Sequence, residues 1–346
     1  MSSPATAEDV AWLLLDQVSS AGAARRATER LAQQIGLPPA RVAEAGLAVT
    51  ELATNVHLHG GGGAIALRSV RTGAAAAVEV VAVDSGPGIV DVGIARRDGH
   101  STAGTLGIGL GMVTRLADRV DIASTPGRGT VLVARFEADR TARPTLAADA
   151  AGPSAAGISR ALSGEDVCGD AYAVRHDGSR TSLMVCDGTG HGPLAAAAAR
   201  EAVRAFTDNT QPVSPPEVAL RRIHRALAGS RGGAVAVAEL DPDARRLRFV
   251  GIGNIAGAVV SAGEKRGLVS IGGIVGYRDP PLRPFEHPLP ADSVVVLHSD
   301  GVSRRWGSDK LDQLLSETPL VIAATLLRDA GIHHDDACVL VGKADQ

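Results

Sequence analysis

Near the middle of this 346-residue chain, the stretch from Glu137 to Gly157, EADRTARPTLAADAAGPSAAG, holds two prolines, many small residues and no sustained apolar period. That is the composition of a surface linker, and no hydrophobic core continues through it. The chain therefore divides into residues 1–137, a linker over 138–156, and residues 157–346. Each outer part is close to the size at which one core forms, about 100–200 residues. With 45% apolar and 21% charged residues, both have the make-up of folded domains rather than of disordered chain.

Composition removes several functions. The 35 Lys and Arg stand against 38 Asp and Glu without a long run of either sign, so no basic stripe invites a nucleic acid. Four Phe, two Trp and two Tyr leave the cores to Ala, Val, Leu and Ile and offer few platforms for base stacking. Met1 to Val10 carries Glu8 and Asp9 where a secretion signal needs basic residues, and apolar stretches such as Leu320 to Leu327 are too short to span a bilayer. A soluble, cytoplasmic protein with no membrane and no nucleic-acid partner is expected. Cys168, Cys186 and Cys338 are too few and too scattered for a disulfide framework or a zinc knuckle, and read as small buried residues in strands.

In the first half, Ala21 to Ile35 and Ala40 to His57 have helical periodicity, and Ala64 to Arg71 and Ala77 to Val83 read as strands. Gly107 to Ala117 can form a short helix. Arg119 to Ala123 and Thr130 to Phe136 flank Pro126-Gly127-Arg128-Gly129, a hairpin signature. The class is α+β, with helices on one face of an antiparallel-rich sheet.

Three pieces of this half carry chemistry. Glu51 and Asn55 in AVTELATNVHLHG are four residues apart, one helical turn on the same face, and His59 continues the stripe. Such a face can hold a phosphate-bound metal through the Asn carbonyl while the Glu accepts a proton from a hydroxyl; it can also be a solvated helix face. Asp84-Ser85-Gly86-Pro87-Gly88-Ile89 follows a buried strand, so Asp84 can accept a hydrogen bond from an exocyclic amine such as that of adenine, though the same five residues suit an ordinary turn. Gly104-Thr105-Leu106-Gly107-Ile108-Gly109-Leu110-Gly111 precedes a helix beginning near Met112, where unshielded N–H groups suit a triphosphate. It is neither a P-loop nor a dinucleotide fingerprint.

In this order the three pieces resemble the nucleotide-binding boxes of the GHKL ATPases. Among these the chain is most similar to the small anti-sigma-factor serine kinases of the stressosome (RsbT-like) type, because the lid between Asp91 and Ala103 is short and no phosphotransfer helix precedes the core. The resemblance covers about residues 10–137 and implies a GHKL (Bergerat) α/β sandwich that binds ATP and Mg2+. It implies that Asn55 holds Mg2+, Glu51 orients or deprotonates a substrate serine or threonine, Asp84 reads adenine, and Gly86, Gly88, Gly107, Gly109 and Gly111 shape the pocket. Thr130 is a further position near the adenine.

In the second half, strand-like runs at Ser182 to Cys186, Ala234 to Leu240, Leu247 to Val250, Ala256 to Val260, Val294 to His298 and Ala337 to Val341 alternate with helix-period segments at Gly192 to Phe206, Pro216 to Leu227 and Leu320 to Arg328. The pattern suggests a sheet sandwich covered by helices. Asp170 in CGDAY, Asp187-Gly188 after LMVC, Asp300-Gly301 after VVVLHS, and Asp335-Asp336 before ACVLV each sit at a strand edge. Each alone is compatible with a turn. If the strand ends converge, several carboxylates meet, and their repulsion calls for cations of the Mg2+ or Mn2+ kind. His333 and His334 are adjacent in an extended segment and point to opposite sides, which disfavours zinc. His191 either contacts phosphate or forms part of the helix entry at Pro193, and His176, His224 and His298 read as surface or packed residues.

GDAY, VCDGTGHG, SDG and HDDA in that order resemble the metal-dependent PPM phosphatases, in the sporulation-phosphatase (SpoIIE) branch, and its short RsbX-like members most of all. The resemblance runs from about Gly157 to Lys343 and implies an αββα sandwich holding two Mn2+ or Mg2+ ions. The implied ligands are Asp170, Asp187, the Gly188 carbonyl, Asp300 and Asp335, with Asp336 as the alternative to Asp335 and Asp187 also in the catalytic role. Cys168 and Tyr172 depart from the usual pattern around the first aspartate. Together the two resemblances imply a bifunctional kinase and phosphatase acting on a STAS-domain regulator in stress or sigma-factor control. The alternative is a phosphatase whose first domain is a non-catalytic ATP- or partner-binding module. An exposed edge of the first sheet would allow pairing into a homo-oligomer.

Overall fold

The computed structural model describes residues 5–17, 19–72, 75–95, 109–139, 154–208, 210, 213–278, 282–307 and 311–344. Contacts along the chain divide it into two compact units, Met1–Leu146 and Ala147–Gln346. Gly107 of the glycine-rich loop lies outside the described residues, as do Asp91–Ala103 beyond Ala95 and most of the expected linker.

In the first unit, strands β1 (Ala5–Leu14), β2 (Gly63–Thr72), β3 (Ala75–Asp84), β4 (Arg119–Thr125) and β5 (Gly129–Glu137) form one antiparallel sheet in the order β1-β2-β3-β5-β4. The helices are α1 (Ser20–Gln34), α2 (Pro39–Leu58), the short α3 (Val92–Ala95) and α4 (Gly109–Leu116). On α2, Val42, Ala45, Val49, Leu52 and Val56 recur at intervals of three and four, making one apolar stripe. That stripe shares a core with alternate residues of the strands, including Ile65, Leu67, Val80, Ala82, Leu132, Ala134 and Phe136. The result is the α/β sandwich expected of a GHKL domain.

Three local features differ from expectation. Strand β1 was masked by the charges of Glu8 and Asp9. It forms because Asp9 lies directly opposite Arg68 on β2 and binds it at 2.7 Å, while Glu79 on β3 takes the same buried guanidinium at 2.9 Å. A buried cation between two carboxylates makes acidic residues acceptable in a sheet. Helix α4 already includes Gly109 and Gly111 instead of starting near Met112. Helix α2 ends at Leu58, so His59 lies past its last turn, with its N–H on the Asn55 carbonyl.

In the second unit, strands β6 (Ala155–Arg160), β7 (Asp170–Asp177), β8 (Arg180–Gly188), β9 (Gly233–Asp241), β10 (Arg246–Ile252), β11 (Ala256–Ser261), β12 (Glu264–Leu268), β13 (Phe285–Pro288), β14 (Val294–His298) and β15 (Ala337–Lys343) build two antiparallel sheets, β13-β10-β9-β8-β7 and β12-β11-β14-β15-β6. Leu183, Val185, Ala236, Ala238, Val295, Leu297, Cys338 and Leu340 fill the space between them. On the outer face of the first sheet, Met184, Cys186, Val235 and Val237 meet α5 (Pro193–Thr207) and α6 (Pro216–Ala226) through Ala198, Ala202, Leu220 and Ile223. Helix α7 (Pro319–Ala330) lies on β6 and β15 of the other sheet. This is the αββα layering of the PPM fold.

Strand β6 begins inside the stretch expected to be linker. Its Ala-Ala-Gly-Ile-Ser sequence lacks bulk for a packing reason: a Cβ on Gly157 would strike the Tyr172 ring at 2.7 Å. Cys186 and Cys338 are buried in strands, whereas Cys168 is half-buried in the loop before β7. Among the described residues no helix is long and apolar enough to cross a membrane.

Candidate functional site

The first unit sets Gly109 against Glu51 and Asn55 of α2, and the Asp84 turn against Gly60 just past that helix. Glu51 and Asn55 sit a turn apart, and the first residue of α4 is pressed against both. A Cβ on Gly109 would lie 3.0 Å from Glu51 Oε2 and 3.3 Å from Asn55 Nδ2. Only a residue without a side chain lets this backbone come so close to the carboxylate and the amide. Gly111, two residues further on, is buried.

Asp84 ends β3. Its Oδ1 accepts the N–H of Gly86 at 2.9 Å and that of Thr130 at 3.2 Å, so two backbone donors fix the carboxylate plane and join the turn to the start of β5. Gly127 N donates to the Pro87 carbonyl at 2.8 Å, and Ile89 N to Ser124 Oγ at 2.7 Å. Ser124 Oγ also lies 2.8 Å from Thr130 Oγ1. Gly86 packs on Gly60, and Gly88 lies over the Thr125 carbonyl with φ +71°. Sequence reasoning missed Gly60 and Ser124; the run of four glycines from Gly60 to Gly63 was the available signal for the first.

In the second unit the strand register sets Asp170 directly opposite Asp187. Asp170 is 5% exposed, and its Oδ2 has no hydrogen-bond partner. Burial, followed by the charge of Asp187, holds its carboxyl well above the usual range, with a hydrogen bond from Ser299 opposing the shift. Asp187 is raised to about 7, first by burial, then by the charges of Asp300 and Asp335 and a hydrogen bond shared with Asp300. Asp335 is also raised, by burial and then by Asp300. Four carboxylates from four strand ends thus feel one another.

Supporting contacts fix this arrangement. Ser299 is held by Cys338, its N–H on the Cys338 carbonyl at 3.1 Å and its Oγ accepting Cys338 N at 2.9 Å. Asn254 Nδ2 donates to Asp300 Oδ2 at 2.6 Å. Asp336 spends both oxygens on backbone, accepting Leu162 N at 2.8 Å and Gly169 N at 2.9 Å, while Asp335 Oδ1 accepts the N–H of Asp336. The adjacent pair therefore splits: Asp336 ties down the loop before Asp170, and Asp335 projects from the exposed turn. Gly188 N donates to the Gly169 carbonyl at 3.1 Å, completing the ring around the first two aspartates. Ser299 stood in the SDG motif with no role of its own, and Asn254 lay in no motif.

Among the described residues, no three His, Cys, Asp or Glu side chains already close around a common point. The donor chemistry nonetheless fits divalent cations. A buried carboxylate oxygen of Asp170 lacks any partner, and burial and nearby charge make Asp187 and Asp335 resist ionisation. Oxygen-only donors of this kind suit Mg2+ or Mn2+. His191 does not cap α5: its Nδ1 pairs with Glu165 Oε1 at 2.8 Å, and Gly192 occupies the cap position. His333 and His334 are exposed. His298 is buried against Trp306, whose Nε1 donates to its Nε2 at 3.3 Å.

Comparison with known proteins agrees with this division. A family model described as a histidine kinase-like ATPase domain matches residues 14–136, and one described as stage II sporulation protein E matches residues 177–345. The serine/threonine-protein kinase RsbT of Bacillus subtilis (strain 168) is 37% identical over 112 residues, 32% of this chain and 84% of that protein. The phosphoserine phosphatase RsbX of the same organism is 22% identical over 143 residues, 40% of this chain and 70% of that protein. A crystal structure of RsbX in complex with magnesium superposes with a TM-score of 0.46 at 19% identity, covering 54% of this chain and 93% of the other. The chain belongs to the RsbT-type histidine kinase-like ATPases and carries a SpoIIE-type PPM phosphatase domain on the same polypeptide.

Proposed function

We propose that this chain is a bifunctional switch of a bacterial partner-switching pathway, which phosphorylates serine or threonine on a STAS-domain protein with one unit and removes the phosphate with the other. The observation that carries the reading is the cross-strand pair of buried Asp170 and half-buried Asp187, with an unpartnered oxygen on the former and the charges of Asp300, Asp335 and Asp336 bearing on the latter. Repulsion of this size is not retained for stability, because an apolar or amide residue would fill the same space at lower cost.

In the second unit Asp170, Asp187, the Gly188 carbonyl, Asp300 and Asp335 would hold two Mg2+ or Mn2+ ions. When bound, such ions lower the pKa of a water towards neutrality and neutralise charge on the phosphoryl oxygens. Asn254 and Ser299 keep two of the carboxylates in place. In the first unit Asn55 would hold Mg2+, and Glu51 takes the proton of the attacking hydroxyl. Asp84, with Oδ1 already fixed, accepts the adenine amine, and Gly109 keeps the phosphate side of the pocket open. Gly107 belongs to the same cradle in this reading. The linker raises the effective concentration of each site at a substrate held by the other.

The test uses the purified chain, a STAS-domain substrate and γ-labelled ATP with Mg2+, followed by Mn2+. Label should accumulate on serine or threonine with Asp187→Asn, remain low with the wild type, and be absent with Glu51→Gln. Prelabelled substrate should lose phosphate to the wild type and to Glu51→Gln. Failure of Asp187→Asn to label any substrate, with ATP still bound, would leave the first unit as a binding module.

A further inference from the structure

We propose that Arg231 binds the phosphoryl group of the substrate at the second unit's site, an inference that rests on the phosphatase reading above. Arg231 lies between α6 and β9 in a turn whose backbone is fixed on both sides. Ser230 Oγ donates to the Leu227 carbonyl at 2.7 Å and accepts Gly232 N at 3.0 Å. The Gly232 carbonyl accepts Thr189 N at 3.1 Å, tying the turn to the Asp187–Gly192 segment. Gly233 stands opposite Gly188 in the β8–β9 ladder and exchanges two backbone hydrogen bonds with Val275.

The side chain leaves this anchored turn towards Gly190, three residues after Asp187. A Cβ on Gly190 would meet Arg231 Nη1 at 3.2 Å, and one on Gly169 would lie 3.4 Å from the Gly190 carbonyl. Gly190 therefore separates the guanidinium from the loop that carries Asp170. Other cations of this rim are committed: Arg304 donates to the Asn254 carbonyl at 2.7 Å, Arg160 to the Ile332 carbonyl at 3.1 Å, and His191 pairs with Glu165. Arg231 is exposed, and among the described residues it makes no ion pair. Unpaired against the loop that follows Asp187, its planar fork suits a dianionic phosphate that arrives between the arginine and the cations.

The experiment compares the wild type, Arg231→Ala and Arg231→Lys with Mn2+, a phosphoserine peptide as substrate and inorganic phosphate as competing ligand. Loss of a charge-assisted contact of about 1.5–3 kcal/mol corresponds to about 10- to 100-fold. For Arg231→Ala we expect KM for the peptide and Ki for phosphate to rise by about that factor, with kcat changed less than about threefold. Arg231→Lys should fall between. The Mn2+ Kd from calorimetry and the Tm should match the wild type. Unchanged KM and Ki would overturn the inference, and so would a parallel loss of Mn2+ binding, which would mark the residue as structural. A wild-type chain that hydrolyses no phosphoserine peptide while binding Mn2+ and phosphate would instead defeat the phosphatase reading itself.

Discussion

Replacing Asp187 by asparagine should stabilise the metal-free protein while abolishing phosphatase activity. The side chain keeps its size, and its amide can still donate to Asp300, so the packing of β8 is undisturbed. What disappears is a charge. Burial and neighbouring charge raise the Asp187 carboxyl to about 7 in the fold, against an ordinary value of 3.8, and a raised carboxylate adds stability in acid that is lost as pH rises to the folded pKa. The loss begins near pH 4, accumulates as pH rises, and is complete above about 7. At about 1.4 kcal/mol per pH unit the ceiling is about 4 kcal/mol. Because Asp187 stands at a partly hydrated rim, we expect about 2 kcal/mol. For a unit of this size that is a Tm increase of roughly 4–8 °C. Thermal unfolding in EDTA, followed through the transition that moves when Mn2+ is added, should show Asp187→Asn above the wild type at pH 8. The gap should shrink towards pH 5 and close near pH 4. Excess Mn2+ should reverse the order, because binding to the native state stabilises only the chain that retains the ligand. A variant less stable than the wild type in EDTA at pH 8, or a gap that ignores pH, would refute the claim that mutual repulsion dominates this site.

Other expectations follow from the same geometry. Asp336→Ala removes the acceptor of two backbone N–H groups and should cost about 3 kcal/mol, read as a lower Tm at any Mn2+ concentration. Gly109→Val should weaken binding of a non-hydrolysable ATP analogue at least about tenfold by calorimetry, because its side chain must displace Glu51 and Asn55; the Tm should change little, since those side-chain ends can swing away. Gly157→Ala should cost about 1–3 kcal/mol by overpacking Tyr172, and Tyr172→Ala should recover part of that loss in a double-mutant cycle. Acidification should charge His298, which burial lowers to about 4. Its contribution to stability is present above pH 6.5 and lost as pH falls towards 4, so Gln in its place should flatten that part of the acid-unfolding curve.

Legibility followed the period of the apolar pattern. Helix α2 and strands β3, β8 and β15 were readable because their buried residues recur at helical spacing or run uninterrupted. Strands β1 and β6 were not: one carries acids that a distant arginine accepts, and the other is thinned to Ala and Gly to admit a ring from the opposite sheet. The aspartates stood out because Asp-Gly closes an apolar run. Which strand ends meet depends on register, which no local pattern states. Asp335 and Asp336 could not be told apart as adjacent identical residues; in the fold two loop N–H groups occupy the oxygens of Asp336. The roles of Asn254 and Ser299 were illegible for a related reason, since each acts on a carboxylate remote in the chain.

The most direct measurement is anomalous diffraction at the manganese edge from crystals of the intact chain grown with Mn2+ and a non-hydrolysable ATP analogue. We expect peaks bounded by Asp170, Asp187, Asp300 and Asp335 in the second unit, and a further peak beside Asn55 with the adenine amine on Asp84. Manganese bound elsewhere, with these side chains pointing to solvent, would contradict the account.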